Sequence, residues 1–232
     1  RIYNILSENA KSLDLNIDYV KYQELEYCDK ESYDWIVACY TETSCAFKID
    51  VELIKNLCFN YKSKLFLDAT ASIGLENKHH LADVICYSSC KGLFGLTGAC
   101  FIAYNDLNIE PREDSLYLDI NTHINHAVTG PYHQILSLYG IFKDYDCYVN
   151  RVKCWQKCFS EVFRENLIYD EINQPYLCTL LDSRLKYKME NPVPYKPRTN
   201  NKGDVVCHIG QVHRDIKSIN YELIRSHFEV EN

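Results

Sequence analysis

The chain has 232 residues and a formal net charge of −7, from 25 Lys+Arg against 32 Asp+Glu. Its 47% hydrophobic content excludes a disordered chain, and the acidic balance argues against a general nucleic-acid binder, which needs a basic face. No apolar run approaches the roughly 18–20 residues that span a bilayer, so no membrane partner is expected, and the length suits one large domain alone or with a small one.

In chain order, apolar Ile2, Ile5 and Leu6 predict a helix over 2–13, and residues 16–22 read as a short strand. Residues 35–40 form a compact apolar run that reads as a buried parallel strand. Val51, Leu53, Ile54, Leu57, Cys58 and Tyr61 recur at helical spacing, which predicts a helix over 50–61. Three further strands follow, over 64–68, 82–88 and 99–104. Strands alternating with helices imply an α/β sheet with crossover connections. Pro131 is well placed to open a long helix running to 163. Residues 176–181 and 204–209 read as strands. The stretch 190–204, with Pro192, Pro194, Pro197 and Gly203, reads as a loop, and 215–228 as a final helix. The expected division is a large α/β domain over 1–135, a connecting helix over 136–165 and a small α+β domain over 166–232.

The twelve cysteines are scattered, with no Cys-x-x-Cys pair. A zinc set is not spelled out, and no secretory leader is visible at the start of the chain. The expectation is reduced, mostly buried thiols in a cytoplasmic protein.

Ligands of α/β sheets bind at the carboxyl ends of the strands. Three predicted strand ends are polar here: Thr41-Glu-Thr43-Ser44, Asp68-Ala-Thr-Ala-Ser72 and Ser88-Ser89-Cys90-Lys91-Gly92. A lysine at a buried strand end can present a free amine for a Schiff base. A carboxylate one strand over is what a pyridinium nitrogen needs, and hydroxyls at the third end could hold a phenolic oxygen. The set suggests pyridoxal 5′-phosphate. Taken singly, each residue has a plainer reading: Asp68 as a turn or cap residue, Lys91 as a surface residue, and Gly92, Gly95 and Gly98 as a tight turn.

These blocks, in this order and with Gly95 and Gly98 following, resemble the class V aminotransferases of pyridoxal-phosphate fold type I. The 2-aminoethylphosphonate–pyruvate and alanine–glyoxylate branch is the nearest, and the match covers 1–145 best. The resemblance implies that Lys91 carries the cofactor as a Schiff base and shuttles a proton. Asp68 would pair with the pyridine nitrogen, Thr43 would donate to the phenolic oxygen, and Ser88 or Ser89 would touch the phosphate. Thr129, in Thr129-Gly-Pro-Tyr-His133, would reach a neighbouring subunit's phosphate, which implies a homodimer. The implied substrates are a small amino donor, 2-aminoethylphosphonate at best, and a 2-oxo acid acceptor such as pyruvate or glyoxylate.

The family also has an N-terminal Gly/Ser/Thr turn for the phosphate, ahead of the position matched by Arg1, so the chain is expected to be a piece of a longer protein. Where the family's small domain presents a carboxylate-binding Arg, this chain has His208. Two alternatives follow: another cation binds the substrate, or the chain is a non-catalytic remnant of the fold. A cysteine desulfurase of the same class would carry His before the lysine, where Cys90 stands. His79-His80 read as solvated, Arg214 and Arg225 as surface charges, and His123 and His126 as flanking a loop with a possible phosphate contact.

Overall fold

The computed structural model describes residues 2–10, 14–27, 32–105, 119–126, 130–187, 194–198 and 203–230. The chain separates into two units, 1–33 and 34–232. The first holds helix α1 (Ile2–Asn9) and a 3-10 turn over Tyr22–Tyr27. The strand expected over 16–22 does not form; residues 15–21 have irregular backbone. A strand needs a neighbour to take its backbone hydrogen bonds, and none of the sheets includes this segment.

The second unit begins with β1 (Trp35–Cys39), followed by a short hairpin of β2 (Thr41–Glu42) and β3 (Phe47–Lys48), and then helix α2 (Val51–Tyr61). The Asp50 side chain accepts the Glu52 N–H and caps α2 at its start, and Lys62 closes it in the left-handed region at φ +54°. Strands β4 (Lys64–Asp68), β5 (Val84–Ser88) and β6 (Cys100–Tyr104) complete a sheet in the order β1-β4-β5-β6. The first three run parallel, and β6 returns antiparallel on the edge. The fold is α/β with a mostly parallel sheet, as expected. Leu65 and Leu67 of β4 are fully buried, as are Ile54 and Cys58 of α2. The opposite sheet face carries Trp35, Val37 and Ile102, all exposed.

Among the described residues three helices follow: α3 (Ile120–Asn125), α4 (Tyr132–Ile141) and α5 (Tyr145–Val162). The single helix expected over 131–163 is therefore two. Gly140 and Asp144 are poor helix formers at the break, and the Asp144 N–H turns back to Ile141 O. This break sets the direction of Tyr145, the first residue of α5.

The remaining strands are β7 (Cys178–Leu181), β8 (Leu185–Tyr187), β9 (Asp204–Cys207) and β10 (Phe228–Val230), with helix α6 (Tyr221–His227) before β10. They pair antiparallel as β7–β9 and β8–β10. The final helix is shorter than expected, because Ile216–Ser218 forms a separate 3-10 turn. Helix α5 serves two cores. Val149 and Val152 pack with Ala71, Leu75, Leu180 and Val205. One turn further on, Trp155 and Phe159 pack with Val206, Ile224 and Phe228.

No helix among the described residues is long and apolar enough to cross a membrane. The described cysteines are free thiols, and no cluster suited to a metal ion occurs among the described residues.

Candidate active site

Three strand ends build the site. Asp68 is the last residue of β4, flanked in register by Cys39 of β1 and Cys86 of β5. Its Oδ1 accepts the Thr70 N–H at 3.0 Å, a local turn that fixes the carboxylate. Its Oδ2 has no hydrogen-bond partner among the described residues.

Lys91 follows β5 and opens a 3-10 turn, Lys91–Leu93. Its backbone sits in the left-handed region at φ +54°, a conformation that a residue with a side chain seldom adopts. The turn is held from two sides. Gly92 N–H donates to Thr70 O at 3.2 Å, and Tyr145 Oη donates to Gly92 O at 2.9 Å. The first bond ties the loop after Asp68 to the loop that carries the lysine. The Lys91 Nζ donates to Thr43 Oγ1 at 3.1 Å. Lysine and threonine stand 48 positions apart in sequence, and the β2–β3 hairpin brings them together.

The two adjacent serines have different fates. Ser89 is fully buried; its hydroxyl donates to Leu96 O at 2.5 Å and accepts the Ala99 N–H at 3.2 Å. Both of its bonds close the glycine turn, which leaves it no part in holding a phosphate and corrects that expectation. Ser88 is half-buried, and its hydroxyl contacts Cys90 Sγ at 3.2 Å. Thr129 lies outside the described residues.

His208 is a second correction. It is fully buried, with Nε2 2.9 Å from Thr179 Oγ1 and its ring 5.1 Å from that of Phe159. Burial pushes its pKa down to about 3, so the ring is neutral at ordinary pH. A neutral imidazole in the core cannot hold a substrate carboxylate. His79 and Arg214 also differ from expectation. His79 is half-buried with Nε2 2.9 Å from Ser72 Oγ, and burial pushes its pKa down to about 4. The Arg214 guanidinium lies over the Trp155 ring and contacts His227.

Sequence reasoning passed over a segment that it read as loop. The Tyr195 Oη donates to Thr43 O at 2.6 Å across 152 positions, and the Arg198 N–H donates to Ser44 O at 3.0 Å. Tyr195 bridges Val205, the second residue of β9. The threonine that meets Lys91 is thus held by the C-terminal half of the chain, through a segment that carries two cations, Lys196 and Arg198. Polar pairs this distant leave no periodic signal in a single sequence.

Three thiols near the site, Cys39, Cys86 and Cys207, are held in the protonated form. Burial, reinforced by the negative charge of Asp68 and Glu42, pushes the Cys39 thiol up to about 12. Burial and Asp68 push Cys86 up to about 11. Cys207 is raised by burial, against the opposing charge of Lys91. None is primed as a nucleophile, since the thiolate is the reactive form.

No family profile matches the sequence, and no curated protein matches it. Solved structures do. An aspartate aminotransferase of subgroup IV from Thermus thermophilus aligns with TM-score 0.68 at 16% identity, over 97% of this chain and 75% of that one. An alanine–glyoxylate aminotransferase from Nostoc sp. aligns with TM-score 0.62 at 16% identity, over 83% and 59%. A phosphoserine aminotransferase from Cytophaga hutchinsonii aligns with TM-score 0.61 at 12% identity, over 97% and 73%. These likenesses establish a shared fold. The chain spans 59% of the length of the Nostoc enzyme.

Proposed function

We propose that this chain carries the cofactor-binding apparatus of a pyridoxal 5′-phosphate-dependent aminotransferase, which moves an amino group between a small amine and a 2-oxo acid. The observation that carries the reading is the convergence of three groups at the carboxyl ends of neighbouring strands. The Lys91 amine is 3.1 Å from the Thr43 hydroxyl, and Asp68 stands at the end of β4 with one oxygen unpartnered among the described residues. An amine, a carboxylate and a hydroxyl are the donor set that this cofactor's aldehyde, pyridine nitrogen and phenolic oxygen require, and the shared fold supports the same reading.

Each residue then has one task. Lys91 would hold the cofactor through its amine and move a proton at the substrate carbon. Asp68 Oδ2 would accept the N–H of the ring nitrogen and keep that nitrogen charged. Thr43 Oγ1 would orient the phenolic oxygen, itself steadied by Tyr195. Ser88 is the serine left for the phosphate. When bound, pyridoxal phosphate supplies an electron sink for negative charge at the carbon bearing the amino group.

In this reading Lys196 or Arg198, on the segment tied to Thr43 and Ser44, would supply the cation for the substrate's acid group in place of His208. Amino transfer from 2-aminoethylphosphonate to pyruvate is the first pair to assay, with alanine and glyoxylate second. A homodimer is part of the proposal. Tyr132, Ile135, Tyr139 and Phe142 are exposed at helical spacing on α4 and at its end, an apolar stripe that a second copy would cover.

Borohydride trapping tests the reading. The protein is incubated with pyridoxal phosphate, reduced and digested, and the labelled peptide is identified by mass spectrometry. The expected label sits on Lys91 and is lost in Lys91→Ala. A folded protein that takes no label at Lys91 overturns the proposal.

A further inference from the structure

Tyr145 stands apart from the three strand ends, yet its hydroxyl reaches into them. The ring leaves the first turn of α5, passes Phe94 and Phe142 at centroid distances of 5.8 and 5.5 Å, and ends against Gly74 and Gly92. Gly74 has φ +73°, and a Cβ built there would lie 1.7 Å from the Tyr145 Oη. The tip of the ring therefore occupies space that only a glycine leaves open. From there the hydroxyl donates to Gly92 O at 2.9 Å. The neighbouring Gly92 N–H is also engaged, by Thr70 O.

We propose that Tyr145 is a positioning residue for Lys91. The proposal rests on the role given to Lys91 above. The two bonds to Gly92 fix both polar groups of the residue that follows the lysine. Lys91 itself has the left-handed backbone, which persists only where its surroundings over-determine it. Without the tyrosine hydroxyl, the buried Gly92 loses the donor to its carbonyl. The Lys91 backbone then loses one of the bonds that hold it out of the ordinary helical and extended regions, keeping the Gly92 N–H to Thr70 O and Phe94 N–H to Lys91 O bonds. A change of that dihedral swings a side chain as long as lysine's through several ångströms at its tip, away from Thr43 Oγ1. Tyr145 thus acts on the amine through the backbone, by its bond to Gly92 O. Its hydroxyl is fit for this role at all ordinary pH, because burial and Asp146 push its pKa up to about 12 and it stays a donor.

The test is competitive acetylation of the whole chain with acetic anhydride, read lysine by lysine by mass spectrometry without any cofactor. The exposed Lys157 serves as internal reference. In Thr43→Val, the Lys91 amine is released from its acceptor, and the Lys91:Lys157 ratio rises by about tenfold, the scale of one lost part-buried hydrogen bond. Tyr145→Phe removes a single oxygen and keeps the ring contacts with Phe94 and Phe142; it is expected to raise the ratio by a similar factor. The double variant is expected to show no further rise, because both changes break the same contact. A ratio unmoved by Tyr145→Phe overturns the proposal, as does an additive double variant. A lowered melting temperature with an unmoved ratio assigns Tyr145 to the core alone and also overturns it. If Tyr145→Phe fails to melt cooperatively, Gly74→Ala, which evicts the hydroxyl while keeping the tyrosine, is measured in the same way and judged by the same outcomes. Failure of pyridoxal phosphate to label Lys91 in the parent protein would sink the cofactor reading alone, since acetylation reports the amine without it.

Discussion

Gly92→Ala puts the geometry of the lysine turn under direct strain. A Cβ at position 92 would lie 2.3 Å from Ile73 O, 3.1 Å from Ile73 Cγ2 and 3.2 Å from Ile73 C. The nearest of these is backbone, so a rotamer change cannot relieve the contact. Either the turn after Lys91 or the turn after Asp68 must move, and the Gly92 N–H to Thr70 O bond that joins them stretches. Overpacking of this kind costs ~1–3 kcal/mol, and a lost part-buried hydrogen bond adds ~1 kcal/mol. The sum, ~2–4 kcal/mol, lowers the melting temperature by roughly 5–15 °C for a chain of this length. Thermal unfolding followed by circular dichroism measures it. Gly140→Ala is the control, because a Cβ there meets nothing within 4 Å and the position is in helix α4; it is expected to stabilise by ~0.5–1 kcal/mol. A Gly92→Ala protein that melts within about 2 °C of the parent, on the same scale, refutes the close approach of the two turns.

Three other outcomes follow from the same packing. Glu76 makes a 3.0 Å ion pair with Lys48, at side-chain exposures of 4% and 15%, and accepts the Tyr176 N–H at 2.8 Å. Glu76→Gln leaves a buried ammonium unpaired and is expected to lower stability by ~3 kcal/mol in urea unfolding; a loss below ~0.5 kcal/mol, the range of surface pairs, would contradict the burial. His208 has its pKa lowered from 6.5 to about 3 in the fold, so between those values the unfolded chain binds the proton and the folded chain does not. Stability is therefore full above pH 6.5 and falls as pH drops toward 3, with a slope approaching 1.4 kcal/mol per pH unit. His79 adds a similar contribution over 6.5 to about 4. The slope should shrink in His208→Gln, and an unchanged slope would show that the ring is protonated in the fold. Thiol labelling of the native protein should modify exposed Cys100 and Cys147 first and buried Cys58 and Cys178 last, as peptide mapping after brief alkylation would show; early labelling of Cys178 contradicts the core.

Much of the sheet is legible in the sequence because β1, β4, β5 and β6 are apolar runs that end abruptly in polar residues, and α2 has both a helical period and a cap at Asp50. The break before Tyr145 falls at Lys143-Asp144, a short polar step that the exposed face of a continuous helix also shows, so it did not read as a stop. Strands β2, β3, β8 and β10 have two or three residues each, too few for a period. At the site, Asp68, Lys91 and Thr43 were legible as strand-end residues. Ser88 and Ser89 were not separable, since alternation sends them to opposite faces without saying which face is filled. His208 looked available because its neighbours Val206 and Ile209 do not reveal that Phe159 and Thr179 close over it. Tyr195 and Arg198 sit among prolines that mark a loop, and only the folded chain brings them to Thr43 and Ser44.

The most direct test of the central claim is the identity of the lysine that pyridoxal phosphate labels after borohydride reduction. The account predicts one labelled peptide, carrying Lys91, with the label abolished in Lys91→Ala and reduced in Asp68→Asn, where the carboxylate that would accept the ring N–H is gone. Label spread over exposed lysines such as Lys157, unchanged by Lys91→Ala in a folded protein, would contradict it.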